Sequence, residues 1–149
     1  MGTFDDVNAI SKIAVNTHLA GAAGTVAAAV VTRLLGGKTD IVMMLNGALA
    51  GLVAITAEPL TPSPVLAIVI GAIGSLIMYF GTKFLESKKI DDVVGAIPVH
   101  MFAGIFGTLV VPLSNSGTKF GLSDRCNCSM CISSYFVHHF QSFKTNNWS

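Results

Sequence analysis

Charged residues are scarce in this sequence. Only 11% of its 149 residues are charged, whereas soluble domains usually carry about 25%. That is too few to cover the surface of a soluble globule, since 52% of the residues are hydrophobic. The 15 glycines lie mostly inside the apolar runs, which is common in membrane helices and unfavourable in soluble ones. The composition therefore predicts a protein that lies in lipid.

A run of basic residues is also absent. The chain has 9 Lys and Arg against 8 Asp and Glu, a formal net charge of +1, so no charge pattern predicts nucleic-acid binding. Residues 1–11 contain Asp5 and Asp6 but no Lys or Arg, and so lack the positive start of a secretory signal. We therefore expect the first hydrophobic segment to be retained in the mature protein.

Charge-free runs dominate the first three quarters of the sequence. A helix needs about 20 apolar residues to cross about 30 Å of hydrocarbon. We therefore predict an all-α, polytopic bundle of four transmembrane helices, at about residues 13–35, 41–57, 64–84 and 93–113. The alternative is a buried pair of helical hairpins in a large soluble protein, but such a core needs amphipathic partners and this sequence has none.

These helices divide the chain into three parts. Residues 1–12 are predicted to be an extracytoplasmic stub, residues 13–113 the transmembrane region, and residues 114–149 an irregular tail rich in Ser, Asn and Cys. Short connectors make neighbouring helices antiparallel. Basic residues then gather on one side, which the positive-inside tendency makes cytoplasmic. They are Arg33, Lys38, Lys83, Lys88 and Lys89.

Small residues recur at helical spacing within these runs. Because lipid provides no hydrophobic drive between helices, small residues that let backbones approach closely hold such bundles together. We predict that they form packing faces and not ligand sites. The series are Ala20, Gly24 and Ala28; Gly47 and Gly51; Gly71 and Ser75; and Ala103 and Gly107.

Polar side chains at membrane depth are costly and therefore mark candidate functional sites. The candidates are Asn16 with His18, Asn46, and His100. For His18 an interfacial role and a pore role are both open, whereas Asn46 is expected to hydrogen-bond a neighbouring helix. His100 lies about 10 Å along its span and has no charged residue within seven positions. It could line a pore or form an interhelical hydrogen bond.

All three cysteines lie in the tail, at Cys126, Cys128 and Cys131, with His138 and His139 downstream. Thiolates and imidazoles are zinc ligands, but the Cys-x-Cys-x-x-Cys spacing does not match a paired zinc knuckle. We therefore predict no metal site and no cofactor. If the tail lies outside the cell, a disulfide is compatible with these cysteines.

Four stretches of the sequence carry a family resemblance. In order, they read NTHLAGAAG from Asn16, LNGALAGLVAITA from Leu45, IDDVVGAIPVH from Ile90, and AGIFGT from Ala103. Over about residues 8–115 they resemble the ammonium transporter family, which includes the Mep and Rhesus-type proteins. The resemblance implies part of a fold of eleven spans, built as an inverted repeat and assembled as homotrimers with a pore in each subunit. The four helices would correspond to the seventh to tenth.

The resemblance also implies a function and a site. His100 matches the second of two pore histidines, with Ala96 and Gly104 on the same face of the path. Ammonium would cross as ammonia, through a multi-pass protein of the cell or plasma membrane that is not an enzyme. Because the earlier helices are not represented, we expect an incomplete fragment. The alternatives are a membrane-embedded ammonium sensor or interaction module, and a small metal-handling protein that uses the Cys and His tail.

Overall fold

The computed structural model describes residues 4–92 and 94–114, and its side chains as far as residue 111. Four α-helices and one π-helix make up this part of the chain, and it contains no strand, so the all-α prediction is confirmed. We call residues Ile97–Phe102 the π segment. The α-helices are α1 (Phe4–Gly36), α2 (Ile41–Ile55), α3 (Pro64–Ser87) and α4 (Ala103–Ser114).

The helix ends differ from the expected ones where local chemistry sets them. Helix α1 begins at Phe4 and therefore includes residues 4–12, which were expected to form a stub. Asp5 and Asp6 lie in its first turn, where negative charge is favourable beside the free N–H groups. With 33 residues, α1 is about 50 Å long, longer than the hydrocarbon core of a bilayer is thick.

Two side chains set where the middle helices start. The Asp40 carboxylate accepts hydrogen bonds from the backbone amides of Val42, at 2.9 Å, and Met43, at 3.3 Å, and so caps α2. The Ser63 hydroxyl accepts one from the amide of Leu66 at 3.3 Å, and Pro64 begins α3. A proline is favourable there because the first helical N–H has no partner within the helix. The residue before each of these two helices therefore caps the helix that follows it.

The bundle has α2 and α3 at its centre. Helix α1 packs against both of them, and so do α4 and the π segment. Helices α1 and α2 are antiparallel, since Gly21 faces Leu52 whereas Gly24, further along α1, faces Gly47. The antiparallel arrangement expected from the short connectors is therefore present for this pair.

The helices meet through backbone contact. A Cβ atom on Gly24 would overlap the carbonyl oxygen of Gly47, and one on Gly51 would lie 2.5 Å from the carbonyl oxygen of Ala20. On α3, a Cβ atom on Gly71 would overlap the backbone of Ala20. The predicted packing role of these small residues is therefore confirmed.

Large apolar side chains cover much of the outside of the bundle. Phe4 is 81% exposed, Leu34 75% and Val65 71%. Helices α1 and α3 are long and apolar enough to cross a membrane, whereas α2 and Ile97–Val111 are apolar but shorter. An apolar exterior of this kind suits contact with lipid better than contact with water.

We expect Gly71→Ala to destabilise the bundle by about 1–3 kcal/mol, the usual cost of overpacking a tight core. The added methyl group would meet the Ala20 backbone, which cannot rotate away as a side chain can. Unfolding of the purified chain in mixed micelles, followed by helix content, measures the change. Gly36→Ala is the matched control because a Cβ atom there meets nothing within 4 Å. Equal stability of the two variants would contradict the prediction.

Candidate functional site: the His100 segment

The chain turns sharply after α3. The residues that follow this turn, 96–114, comprise Ala96, the π segment and α4, and we call them the His100 segment. Lys89 adopts a left-handed conformation with φ of 56°, and its amide donates to the carbonyl of Glu86 at 3.0 Å. The amide of Ile90 then donates to the carbonyl of Leu85 at 3.1 Å. This pair of bonds is the Schellman motif, which satisfies the last carbonyls of a helix. It closes α3 and directs the chain towards Asp92.

Asp92 caps the start of the His100 segment. One carboxylate oxygen accepts a hydrogen bond from the amide of Ala96 at 3.0 Å, and the other accepts one from the amide of Ile97 at 2.9 Å. Pro98 follows in the first turn and has no N–H to satisfy. A carboxylate at this end also interacts favourably with the helix dipole. Asp92 was not among the residues predicted from the sequence, although an acidic residue ahead of a first-turn proline is a helix-start signal.

Asn46 ties this start to α2. Its side-chain amide donates a hydrogen bond to the carbonyl of Val94 at 3.1 Å. Val94 lies in the turn before Ala96, so Asn46 bonds a connecting turn and not the neighbouring helix that was expected. Gly95 has φ of +74°, and a Cβ atom on it would lie only 2.7 Å from the Asn46 nitrogen. Glycine is suited here twice, because it adopts positive φ without strain and leaves room for the amide.

His100 lies within the π segment, on its exposed side. On the other side, Pro98 and Val99 are buried, and Val99 packs with Met78 and Ala103 in one hydrophobic cluster. The imidazole makes no side-chain hydrogen bond with the part of the chain that the structure describes, so the interhelical alternative does not occur there. π-Turns inside helices are rare and are often found at functional sites.

The other two predicted site residues lie on the same segment, one before and one after His100. Ala96 is exposed and Gly104 is half-buried. A Cβ atom on Gly104 would have only an ordinary contact, 3.7 Å from a methyl carbon of Val53. All three positions are therefore free of tight packing by the described helices. Their place along a conduction path stays a prediction.

Asn16 and His18 lie away from this segment. The Asn16 side chain is fully buried, and its amide donates to the carbonyls of Pro59 and Pro62, both at 2.9 Å. It thereby holds the connector between α2 and α3. His18 is exposed, and its Nδ1 lies 2.7 Å from the carbonyl oxygen of Ala14 in its own helix. The structure therefore brings Asn46 to the His100 segment but not Asn16 or His18.

The predictions about residues 115–149 lie outside the described residues. They concern the irregular tail and its side chains Cys126, Cys128, Cys131, His138 and His139. Within residues 4–92 and 94–111, no three His, Cys, Asp or Glu side chains come together as metal ligands do.

The chain matches the model of a known protein family. The model of the Ammonium Transporter Family matches residues 2–138. The chain is 48% identical over 109 residues to ammonium transporter Amt2 of Archaeoglobus fulgidus, which covers 73% of the chain and 23% of that protein.

Two solved structures are similar to the described fold. The first is that of a protein described as a sensor Amt protein, with a TM-score of 0.72 and 32% identity over 85% of this chain and 32% of that one. The second is a Mep2 mutant from Candida albicans, with a TM-score of 0.65 and 27% identity over 69% of this chain and 26% of that one. The chain thus spans about a quarter of the length of the relatives it matches.

We expect Asp92→Ala to loosen the start of the His100 segment, because the amides of Ala96 and Ile97 lose their acceptor. Loss of such a cap typically costs about 0.5–2 kcal/mol. Hydrogen exchange of these two amides in the purified chain should become faster. Asp91→Ala is the matched control, because Asp91 is exposed and is the adjacent acidic residue. Protection that is unchanged in Asp92→Ala would refute the capping role.

Proposed function

Because this chain belongs to the ammonium transporter family, whose members are transporters and not enzymes, we propose that it forms one wall of a transmembrane path for ammonium or ammonia. The observation that carries the proposal is the placement of His100. Its neighbours Pro98 and Val99 are buried, and Val99 packs with Ala50 of α2 and Met78 of α3, whereas His100 itself is exposed. An apolar segment that presents one polar side chain away from its own bundle suits the wall of a narrow path.

The physical problem on such a path is the charge of the substrate. Transfer of a bare cation from water into an apolar channel can cost tens of kcal/mol. Passage as neutral ammonia, with the proton handled separately, avoids this cost and excludes potassium, which cannot lose its charge. The imidazole of His100 can donate or accept a hydrogen bond near neutral pH. Ala96 and Gly104 are small enough to leave space beside it.

The orientation in the membrane follows from charge and packing. The connectors at residues 37–40 and 88–92 carry Lys38, Lys88 and Lys89, and the hydrogen bond from Asn46 to Val94 joins the first half of α2 to the turn before Ala96. This agrees with both connectors lying on one side of the bilayer, the cytoplasmic side by the positive-inside tendency. The chain is then a multi-pass protein with its 56–63 connector outside.

Tags inserted at residues 37–40 and 88–92 should be labelled from the cytoplasm, and a tag at residues 56–63 from outside. The reason is the basic asymmetry of the connectors, and impermeant thiol reagents applied to intact and permeabilised cells measure it. Labelling of all three tags from one side would refute the orientation.

Transport itself can be tested with a chimera, by which we mean a complete ammonium transporter whose matching stretch is replaced by residues 8–115 of this chain. We expect His100→Leu to change the rate of methylammonium uptake or the exclusion of potassium, because the path loses its polar group. His18→Leu is the matched control, because His18 is also exposed and its ring lies against the Ala14 carbonyl of its own helix, away from the π segment. The 149-residue chain alone should insert into membranes without conducting, because His100 is exposed and is not enclosed between the described helices.

The assay is uptake in cells that lack their own ammonium transporters. Saturable uptake by the chain alone would contradict the proposal that it forms only one wall. An unchanged rate and unchanged potassium exclusion in the His100→Leu chimera would remove His100 from the mechanism.

A second candidate function is ammonium sensing, favoured by the likeness to the sensor Amt protein, whose structure has a TM-score of 0.72 to this chain. Sensing would require ammonium binding without net transport. Two results together would favour this function over transport. The purified chain would bind ammonium, measured by calorimetry, and the chimera would reach the membrane but take up no methylammonium.

A further inference from the structure

Gly81 of α3 lies against the π segment that carries His100. A Cβ atom on Gly81 would overlap the ring of Phe102 and would lie 3.3 Å from the Cβ of Pro98. Gly81 is itself buried. Pro98 lies two residues before His100 and Phe102 two residues after it. Gly81 therefore lies against the chain on both sides of His100.

Gly81 differs from Gly71 and Gly107, two glycines at helix crossings. A Cβ atom on Gly71 would meet the backbone of Ala20, and one on Gly107 would meet the backbone of Ala54. Those glycines let two helices approach. At Gly81 the nearest atoms instead belong to side chains of the π segment, so the missing side chain makes room for the Phe102 ring.

The backbone of the π segment depends on contacts with the neighbouring helices. Pro98 cannot donate a backbone hydrogen bond, and the wide turn of a π-helix is an uncommon backbone conformation that neighbouring contacts must hold in place. Val99 packs in the cluster with Met78, one helical turn before Gly81. Displacement of Phe102 and Pro98 would therefore turn the segment about the Val99 contact and move the imidazole of His100.

We propose that Gly81 is a positioning residue, which orients His100 by seating Phe102 and Pro98 of the π segment on α3. The effect on transport rests on the proposed function. The contact between Gly81 and the π segment does not, and it can be tested separately. Inside a helix, Gly→Ala is favourable for the backbone, so a harmful effect of Gly81→Ala would come from the contact with the π segment.

The geometry is tested on the purified 149-residue chain in detergent by the rate at which diethylpyrocarbonate modifies each histidine, measured by mass spectrometry. Gly81→Ala should change the rate at His100 several-fold and leave the rate at His18 unchanged. Removal of the ring in Gly81→Ala/Phe102→Ala should return the His100 rate towards that of the unaltered chain. Gly36→Ala, the same change in open space, should alter neither rate.

An unchanged His100 rate in Gly81→Ala, or an equal change at His18 and His100, would overturn the inference. If Gly81→Ala does not fold, the double variant decides. Recovery of helix content and of the His100 rate would support the contact, and failure of the double variant to fold would overturn it.

The consequence for transport is tested in the chimera defined above. Gly81→Ala should lower methylammonium uptake several-fold or weaken potassium exclusion at equal membrane abundance, and Gly81→Ala/Phe102→Ala should restore part of the loss. If His100→Leu leaves both uptake and potassium exclusion unchanged, the proposed role of His100 in transport fails, while the modification rates still decide the role of Gly81. If His100→Leu stops uptake but Gly81→Ala changes neither uptake nor selectivity, the positioning role fails and the proposed function stands.

Discussion

Backbone contact between helices is the constraint on which the rest of this structure depends. Lipid offers no hydrophobic drive for one apolar helix to leave it for another, so helices associate where their backbones can touch. Ala20 of α1 is the centre of this arrangement, because Gly51 of α2 and Gly71 of α3 both approach its backbone. The exterior can then carry large apolar side chains, and the position of α3 sets where the His100 segment lies.

The packing around His100 differs in kind from this crossing. Three contacts act there. Asp92 caps the start of the His100 segment, the Asn46 amide of α2 bonds the turn before it, and the Phe102 ring lies against Gly81 of α3. These contacts come from different elements, so the position of the imidazole depends on the whole bundle and not on the sequence near His100 alone. A site whose residues are held by a supporting set of contacts is the arrangement that a narrow path requires.

The sequence predicted what local pattern and composition determine. The long charge-free runs indicated the helices, the four-residue spacing of small side chains identified the packing faces, and His100 was recognisable as an isolated polar residue in an apolar run. The His100 segment starts at Ala96 and not at residue 93 as expected. This start could not be predicted, because it depends on the positive φ of Gly95 and on the room that Asn46 needs. Nor could the π segment or the contact between Gly81 and Phe102, since these residues are distant in sequence and meet only when α3 has folded.

The non-helical stretches show why most of the polar candidates are present. Backbone groups that leave a helix and are shielded from water need hydrogen-bond partners within the protein, and here neighbouring side chains provide them. The Asn16 amide donates to the carbonyls of Pro59 and Pro62. The Asn46 amide donates to the carbonyl of Val94. The Asp92 carboxylate accepts from the amides of Ala96 and Ile97. His18 pairs with a carbonyl of its own helix. His100 is different because its ring has no such partner among the described residues, so satisfying the backbone does not explain a costly polar group at that position.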